Sequence, residues 1–133
     1  MKKLCVALLI IVSVQAELPD EDRKKIVDNH KQCLTKVGID KDVIKNAESG
    51  DAKDGAKFRD YIFCANKLNG FQDDKGDFQK ENSLKVLTKI LDDKEAAEKL
   101  YESCAVKKDT PEVTAYEAFL CYKKNSPKPL GLL

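Results

Sequence analysis

Four widely spaced cysteines constrain this chain more than any other feature. Thirty residues lie between Cys33 and Cys64, 39 between Cys64 and Cys104, and 16 between Cys104 and Cys121. No two stand close enough to form the short chelating pair that zinc sites use, and His30 is the only histidine, so no metal site is expected. The N-terminus points to an oxidising compartment instead. Lys2 and Lys3 precede an almost unbroken apolar run over residues 4–14, and Val14-Gln15-Ala16 offers small residues at both positions a signal peptidase reads. This pattern predicts a secretory leader over residues 1–16, cleaved before Glu17, with residues 17–133 forming one domain. The run is too short to anchor in a bilayer, which takes about 20 apolar residues. Cys5 leaves with the leader. Four cysteines in a small secreted domain read as two disulfides, for which three connectivities exist.

Charge removes further classes. The chain has 24 Lys+Arg against 23 Asp+Glu, a net charge of +1 that becomes −1 without Lys2 and Lys3. No basic field exists to attract nucleic acid, and nothing suggests stable membrane insertion. At 42% apolar residues the composition is too hydrophobic for a disordered chain.

The apolar periodicity is helical throughout, so the expected fold class is all-α: a compact bundle of about six short helices with two disulfides around an apolar cavity. The first helix should run from Pro19-Asp20 to Val37, with Ile26, His30, Cys33 and Val37 on one face and Gly38 as its stop. A short helix follows from an Asp40 cap to Glu48, with Val43, Ile44 and Ala47 inward, then a loop over 49–55. The third helix, about 56–68, carries a stripe of Phe58, Tyr61, Ile62, Ala65 and Leu68. After a turn-rich loop over 70–77, a fourth helix spans about 79–92 with Leu84, Val86, Leu87, Ile90 and Leu91. A fifth spans about 93–107 with Ala97, Leu100, Tyr101 and Cys104 on one face. The sixth starts at Thr110-Pro111, with proline at the favoured first turn. Its apolar residues, among them Val113, Tyr116, Phe119, Leu120 and Tyr122, surround the axis, so it should be the central helix, buried on all sides. Pro127 and Pro129 keep residues 126–133 from being helical. The three leucines that follow either cover apolar surface near a cavity mouth or fray.

The cysteine spacing, leader and length together resemble the insect pheromone and general odorant-binding protein family. The stretch Phe58-Arg59-Asp60-Tyr61-Ile62-Phe63-Cys64, followed by Gly70-Phe71 and Asp74-Lys75-Gly76-Asp77, is similar to that family's third helix and loop. The family's usual six cysteines include two that fall here on Asp60 and near Glu112, so the chain resembles the minus-cysteine subgroup and, within it, beetle haemolymph carriers. The resemblance implies pairing of Cys33 with Cys64 and of Cys104 with Cys121. Bridges closing such loops contribute roughly 3–4 and 3 kcal/mol.

The resemblance also implies a secreted, extracellular, non-enzymatic carrier of small hydrophobic molecules (an odorant, a pheromone or a fatty-acid-like ligand) that needs no cofactor and acts as a monomer or weak dimer. The candidate lining comprises Ile26, His30, Phe58, Tyr61 and Ile62 from the first and third helices. Leu84, Leu87, Ile90, Leu91 and Leu100 come from the fourth and fifth, and Val113, Tyr116, Phe119 and Leu120 from the sixth. Tyr61, Tyr101, Tyr116 and Tyr122 supply hydroxyls that could orient a ligand. The rival classes are a secreted signalling protein whose partner is a receptor and a lipid-surface module, the latter disfavoured by the balanced charge.

Two further residue patterns do not make a site of chemistry. Aligning Gly76 with the obligatory glycine of a calcium-binding EF-hand loop puts Phe71 and Asn82 at the ligating ends, which does not work. His30 is followed by Lys31 and has no nucleophile pattern around it, so a structural or pocket-lining role is expected of it and not catalysis.

Overall fold

A computed structural model describes residues 19–48 and 55–127, with side chains 45–48 left aside. The leader, the loop over 49–54, the Ala47 side chain and residues 128–133 lie outside the described residues. Six helices make up the described chain: α1 Asp20–Val37, α2 Lys41–Glu48, α3 Gly55–Leu68, α4 Lys80–Leu91, α5 Lys94–Cys104 and α6 Pro111–Asn125. Among the described residues there is no strand, only an isolated antiparallel bridge between Gln72 and Phe78.

The helix ends follow local chemistry. Gly38 closes α1 with φ of 76° and donates its N–H to the Leu34 carbonyl. The Asp93 carboxylate accepts the Ala96 N–H at the start of α5, and the Thr110 hydroxyl accepts the Val113 N–H at the start of α6. Helix α5 stops at Cys104, three residues short of the sequence expectation. The Val106 N–H turns back to the Cys104 carbonyl, and the Lys108 N–H is taken by the buried Thr114 hydroxyl at 2.8 Å. Those bonds commit the backbone after Cys104 to a connector.

Both disulfides form, Cys33–Cys64 and Cys104–Cys121, as the family resemblance implies. The buried apolar residues fall into two separate clusters. The first joins α1, α2, α3 and the start of α6: Cys33, Ile44, Phe58, Tyr61, Ile62 and Ala115 are among its members, with Tyr116 and Phe119 against it. The second joins α4, α5 and the end of α6 through Leu87, Leu91, Ala97, Leu100, Tyr101 and Cys104, with Cys121 and Tyr122 against it. Helix packing runs in the order α1, α3, α6, α5, α4, with α2 on α3. The order closes into a ring where Lys89 Nζ on α4 meets Asp22 Oδ2 on α1 at 2.9 Å.

The expectation that α6 is central is corrected. Helix α3 holds that place, with five consecutive buried residues, Tyr61–Ala65, because α1, α2 and α6 pack around it. Among the described residues, helix α6 packs chiefly on α3 and α5. It is buried through Thr114, Ala115 and Ala118, while Leu120 is 39% exposed. Leu68, placed by periodicity on the buried stripe of α3, is 40% exposed at the helix end, where the chain turns into Asn69-Gly70.

The connector from α3 to α4 is built around a buried amide. Gln72 is 2% exposed; its Oε1 accepts from Asn66 Nδ2 at 2.6 Å, and its Nε2 donates to the Gly76 carbonyl at 3.0 Å. The Asp73 carboxylate accepts the N–H groups of Lys75 and Asp77, and Asp77 pairs with Lys107 at 2.6 Å. Gly76 has φ of 87°, and an added Cβ would lie 2.8 Å from Pro111 Cα, so the loop seats directly on the start of α6. Gly38 has a similar φ of 76° but open space around it. Gly38→Ala should therefore cost only the left-handed backbone term, about 1–2 kcal/mol. Gly76→Ala adds a steric clash and should cost about 2–4 kcal/mol. Denaturant unfolding of the two variants checks the difference; equal losses would mean that the Pro111 contact relaxes freely.

Candidate functional site

The sequence-derived lining residues divide between the two clusters. Phe58, Tyr61, Ile62, Tyr116 and Phe119 belong to the first, and Leu84, Leu87, Ile90, Leu91 and Leu100 to the second. Ile26 and Val113 are half-buried and belong to neither, and Leu120 faces outward. Helix α6 contributes to both clusters, through Ala115, Tyr116 and Phe119 to the first and Cys121 and Tyr122 to the second.

Phe58 is the hub of the first cluster. Its ring meets Tyr116 edge-on at 5.9 Å and Phe119 edge-on at 5.4 Å, and lies 6.3 Å from Tyr61. Edge-to-face pairs contribute about 0.5–1.5 kcal/mol each beyond area burial. These contacts join α3 to α6 because Phe58, Tyr61 and Ile62 share a helical face, as do Tyr116 and Phe119. The Arg59 guanidinium lies over the Tyr116 ring, 6.0 Å from its centre.

His30, one turn before Cys33, is 5% exposed, and its Nδ1 lies 2.8 Å from the Tyr61 hydroxyl. The bridge between Cys33 and Cys64 brings α1 onto α3 and so sets these two side chains together. Burial pushes the His30 imidazole down to about 4, so the ring is neutral at pH 7. A neutral imidazole and a phenol satisfy each other's polarity at modest cost in an apolar surrounding.

Three polar features escaped sequence reasoning. Gln72 and Thr114 are buried polar groups whose partners come from other parts of the fold. The Asp22–Lys89 pair spans 67 positions; the Lys89 ammonium, through a hydrogen bond to the carboxylate, holds Asp22 below its ordinary range. Periodicity carries no signal for any of them. Asp60, where the family pattern would have a cysteine, is exposed on α3, and Glu112 is half-buried on α6. Among the described residues no cluster of three or more metal-ligating side chains occurs, and no helix is long and apolar enough to cross a membrane.

The features so far define a small, disulfide-linked, all-helical ring with a divided apolar interior. A family model described as the PBP/GOBP family matches residues 15–125, and the chain belongs to that family. It is 34% identical over 125 residues to the B1 protein of Tenebrio molitor, covering 94% of this chain and 95% of that protein. The B2 protein of the same beetle is also 34% identical over 125 residues, with 94% and 97% covered. Odorant-binding protein 10 of Aedes aegypti is 30% identical over 100 residues, with 74% of this chain and 71% of that protein covered.

The His30 environment fixes the sign of a pH effect. The unfolded chain takes up the imidazole proton near 6.5, the folded protein only near 4. Stability is therefore undiminished by this group above about pH 6.5 and is lost as pH falls toward 4, at about 1.4 kcal/mol per pH unit and about 3 kcal/mol in all. His30→Gln should abolish that component. The difference between wild-type and variant unfolding free energies should be flat above pH 6.5 and fall below it; parallel curves would show that His30 is protonated with little penalty.

Proposed function

We propose that this chain is a secreted carrier that reversibly binds small hydrophobic molecules inside the helical ring, between the two apolar clusters. The observation that carries this reading is the division of the core. Both clusters are complete enough to hold their own disulfide, yet they are not fused, and half-buried aliphatic residues such as Ile26 and Val113 belong to neither. Membership of the PBP/GOBP family supports it, as does the name of the Aedes relative, an odorant-binding protein. The two cysteine pairs fit the four-cysteine branch of the family, and the leader at residues 1–16 routes the protein out of the cell.

The ring offers a route in. Packing between α1 and α4 is thin beside that of the other neighbours, and the Asp22–Lys89 ion pair closes it. Both partners are partly exposed, so the pair is worth little and opens readily. Burying an alkyl chain yields about 0.8 kcal/mol per CH₂, which after association costs supports roughly micromolar binding with weak discrimination by length.

Titration of the leaderless protein with an environment-sensitive naphthylamine dye tests this. Saturable dye binding at about micromolar affinity, displaced by medium-chain alkanols, is the expected result. Val113→Trp and Ile26→Trp should each fill space and weaken dye binding about tenfold or more, with little loss of stability. Dye uptake that is absent, or undiminished in both variants, would remove the site from this part of the ring. Co-sedimentation with neutral or anionic liposomes should be negligible.

A further inference from the structure

The two disulfides differ in what surrounds their sulfurs. Cys33 and Cys64 are both buried within the first cluster, in the company of Phe58, Tyr61 and Ile62. Cys104 is buried as well, but its partner Cys121 is only half-buried and packs against the second cluster from its edge. Ser103, beside Cys104, and Asn125, one turn beyond Cys121, are both exposed. Thiol exchange needs access to a sulfur, so the folded protein offers a thiol its second bridge far more readily than its first.

Cys121 also has polar neighbours suited to a free thiol. Asn125 lies four positions on, on the same face of α6, and its Nδ2 is 3.5 Å from Cys121 Sγ. The same Nδ2 donates to the Cys121 carbonyl at 2.9 Å, a group that can only accept, which fixes the way the amide points. The Ser103 carbonyl oxygen is 3.7 Å from the sulfur. A disulfide has no proton to give that carbonyl and is a weak acceptor for the amide. A released Cys121 has use for both: the amide donates to its thiolate, and the carbonyl accepts its S–H. Reduced Cys104 remains a small apolar side chain among Leu100 and Tyr101. Both sulfurs are therefore accommodated after the bridge opens.

We propose that Cys104–Cys121 is a redox-sensitive switch, opened by an external small thiol while Cys33–Cys64 stays closed, and that its opening loosens the hold on a ligand. The thiolate attacks Cys121 Sγ and forms a mixed disulfide there; the S–S bond to Cys104 breaks, and the Cys104 thiolate takes a proton from water. A second thiolate attacks the sulfur of the bound thiol. Cys121 leaves as a thiolate facing the Asn125 amide and is then protonated. Two external thiols are oxidised to one disulfide, and the protein bridge is reduced to two thiols. The bridge ties α5 to α6, so its loss leaves the second cluster with packing alone, while α1 and α3 keep their own tie. The effect on ligand rests on the carrier reading above; the order in which the bridges open does not.

The test treats the oxidised, leaderless protein at neutral pH with graded reduced glutathione, stops the reaction with an alkylating agent and maps labelled peptides by mass spectrometry. Cys104 and Cys121 should become labelled about tenfold or more faster than Cys33 and Cys64, and the glutathione adduct should sit on Cys121. Asn125→Ala should slow loss of that adduct about two- to fivefold. A merely structural Asn125 would have the opposite effect, since a frayed end of α6 exposes the bridge and speeds its reduction. Protein reduced only at the second bridge should bind the naphthylamine dye about fivefold or more weakly than the oxidised form. Both bridges opening together, an adduct on Cys104, faster loss of the adduct in Asn125→Ala, or undiminished dye affinity after selective reduction would overturn the switch. Oxidised protein that binds no dye would sink the carrier reading alone, and the labelling order would still decide whether the second bridge is the one that opens.

Discussion

Among the described residues, helix α6 is the one helix that both apolar clusters share, and each cluster carries its own covalent staple. Cys33–Cys64 lies within the first and Cys104–Cys121 within the second, closing loops of 31 and 17 positions. Neither bridge crosses from one cluster to the other. By loop entropy the two contribute roughly 3–4 and 3 kcal/mol, a large share of the 5–15 kcal/mol by which domains of this size are stable. With each half stapled separately, the core between them need not be filled for the chain to stay folded. A small helical protein without these bridges would have to spend that interior on packing.

Besides α6, the contacts that join the halves are polar and local. The connector from α3 to α4 is organised by Gln72, pinned between Asn66 and the Gly76 carbonyl, and it seats on Pro111 at the start of α6. Lys107 holds the same connector through Asp77. On the far side the Asp22–Lys89 pair completes the ring. The small residues Thr114, Ala115 and Ala118 let α6 approach its neighbours closely, which is why a helix with so many large apolar side chains is buried through its smallest ones.

Much of this was legible in the sequence. The Phe58–Tyr61–Ile62–Ala65 stripe and the Ala97–Leu100–Tyr101–Cys104 face have the helical period and are buried as that period requires. Gly38 and Pro111 mark helix ends by their own backbone restrictions. The cysteine pairing came through family resemblance, since spacing alone leaves three connectivities. The place of α6 was misread because apolar residues around an axis report composition, whereas burial depends on how many neighbours surround it. The candidate site was read only as a set of residues. Its partition into two clusters depends on tertiary packing, as does the burial of Gln72 within a segment whose composition looks like an exposed turn.

The central physical claim is that the two clusters are separately stabilised units joined through α6. Amide hydrogen exchange on a protein lacking only the second bridge, with Cys104 and Cys121 both changed to serine, tests it most directly. Exchange should accelerate across α4, α5 and the end of α6, while the buried amides of α1 and α3 around Cys33 and Tyr61 keep their protection. Uniform acceleration through all six helices would mean a single cooperative core, and would contradict the account.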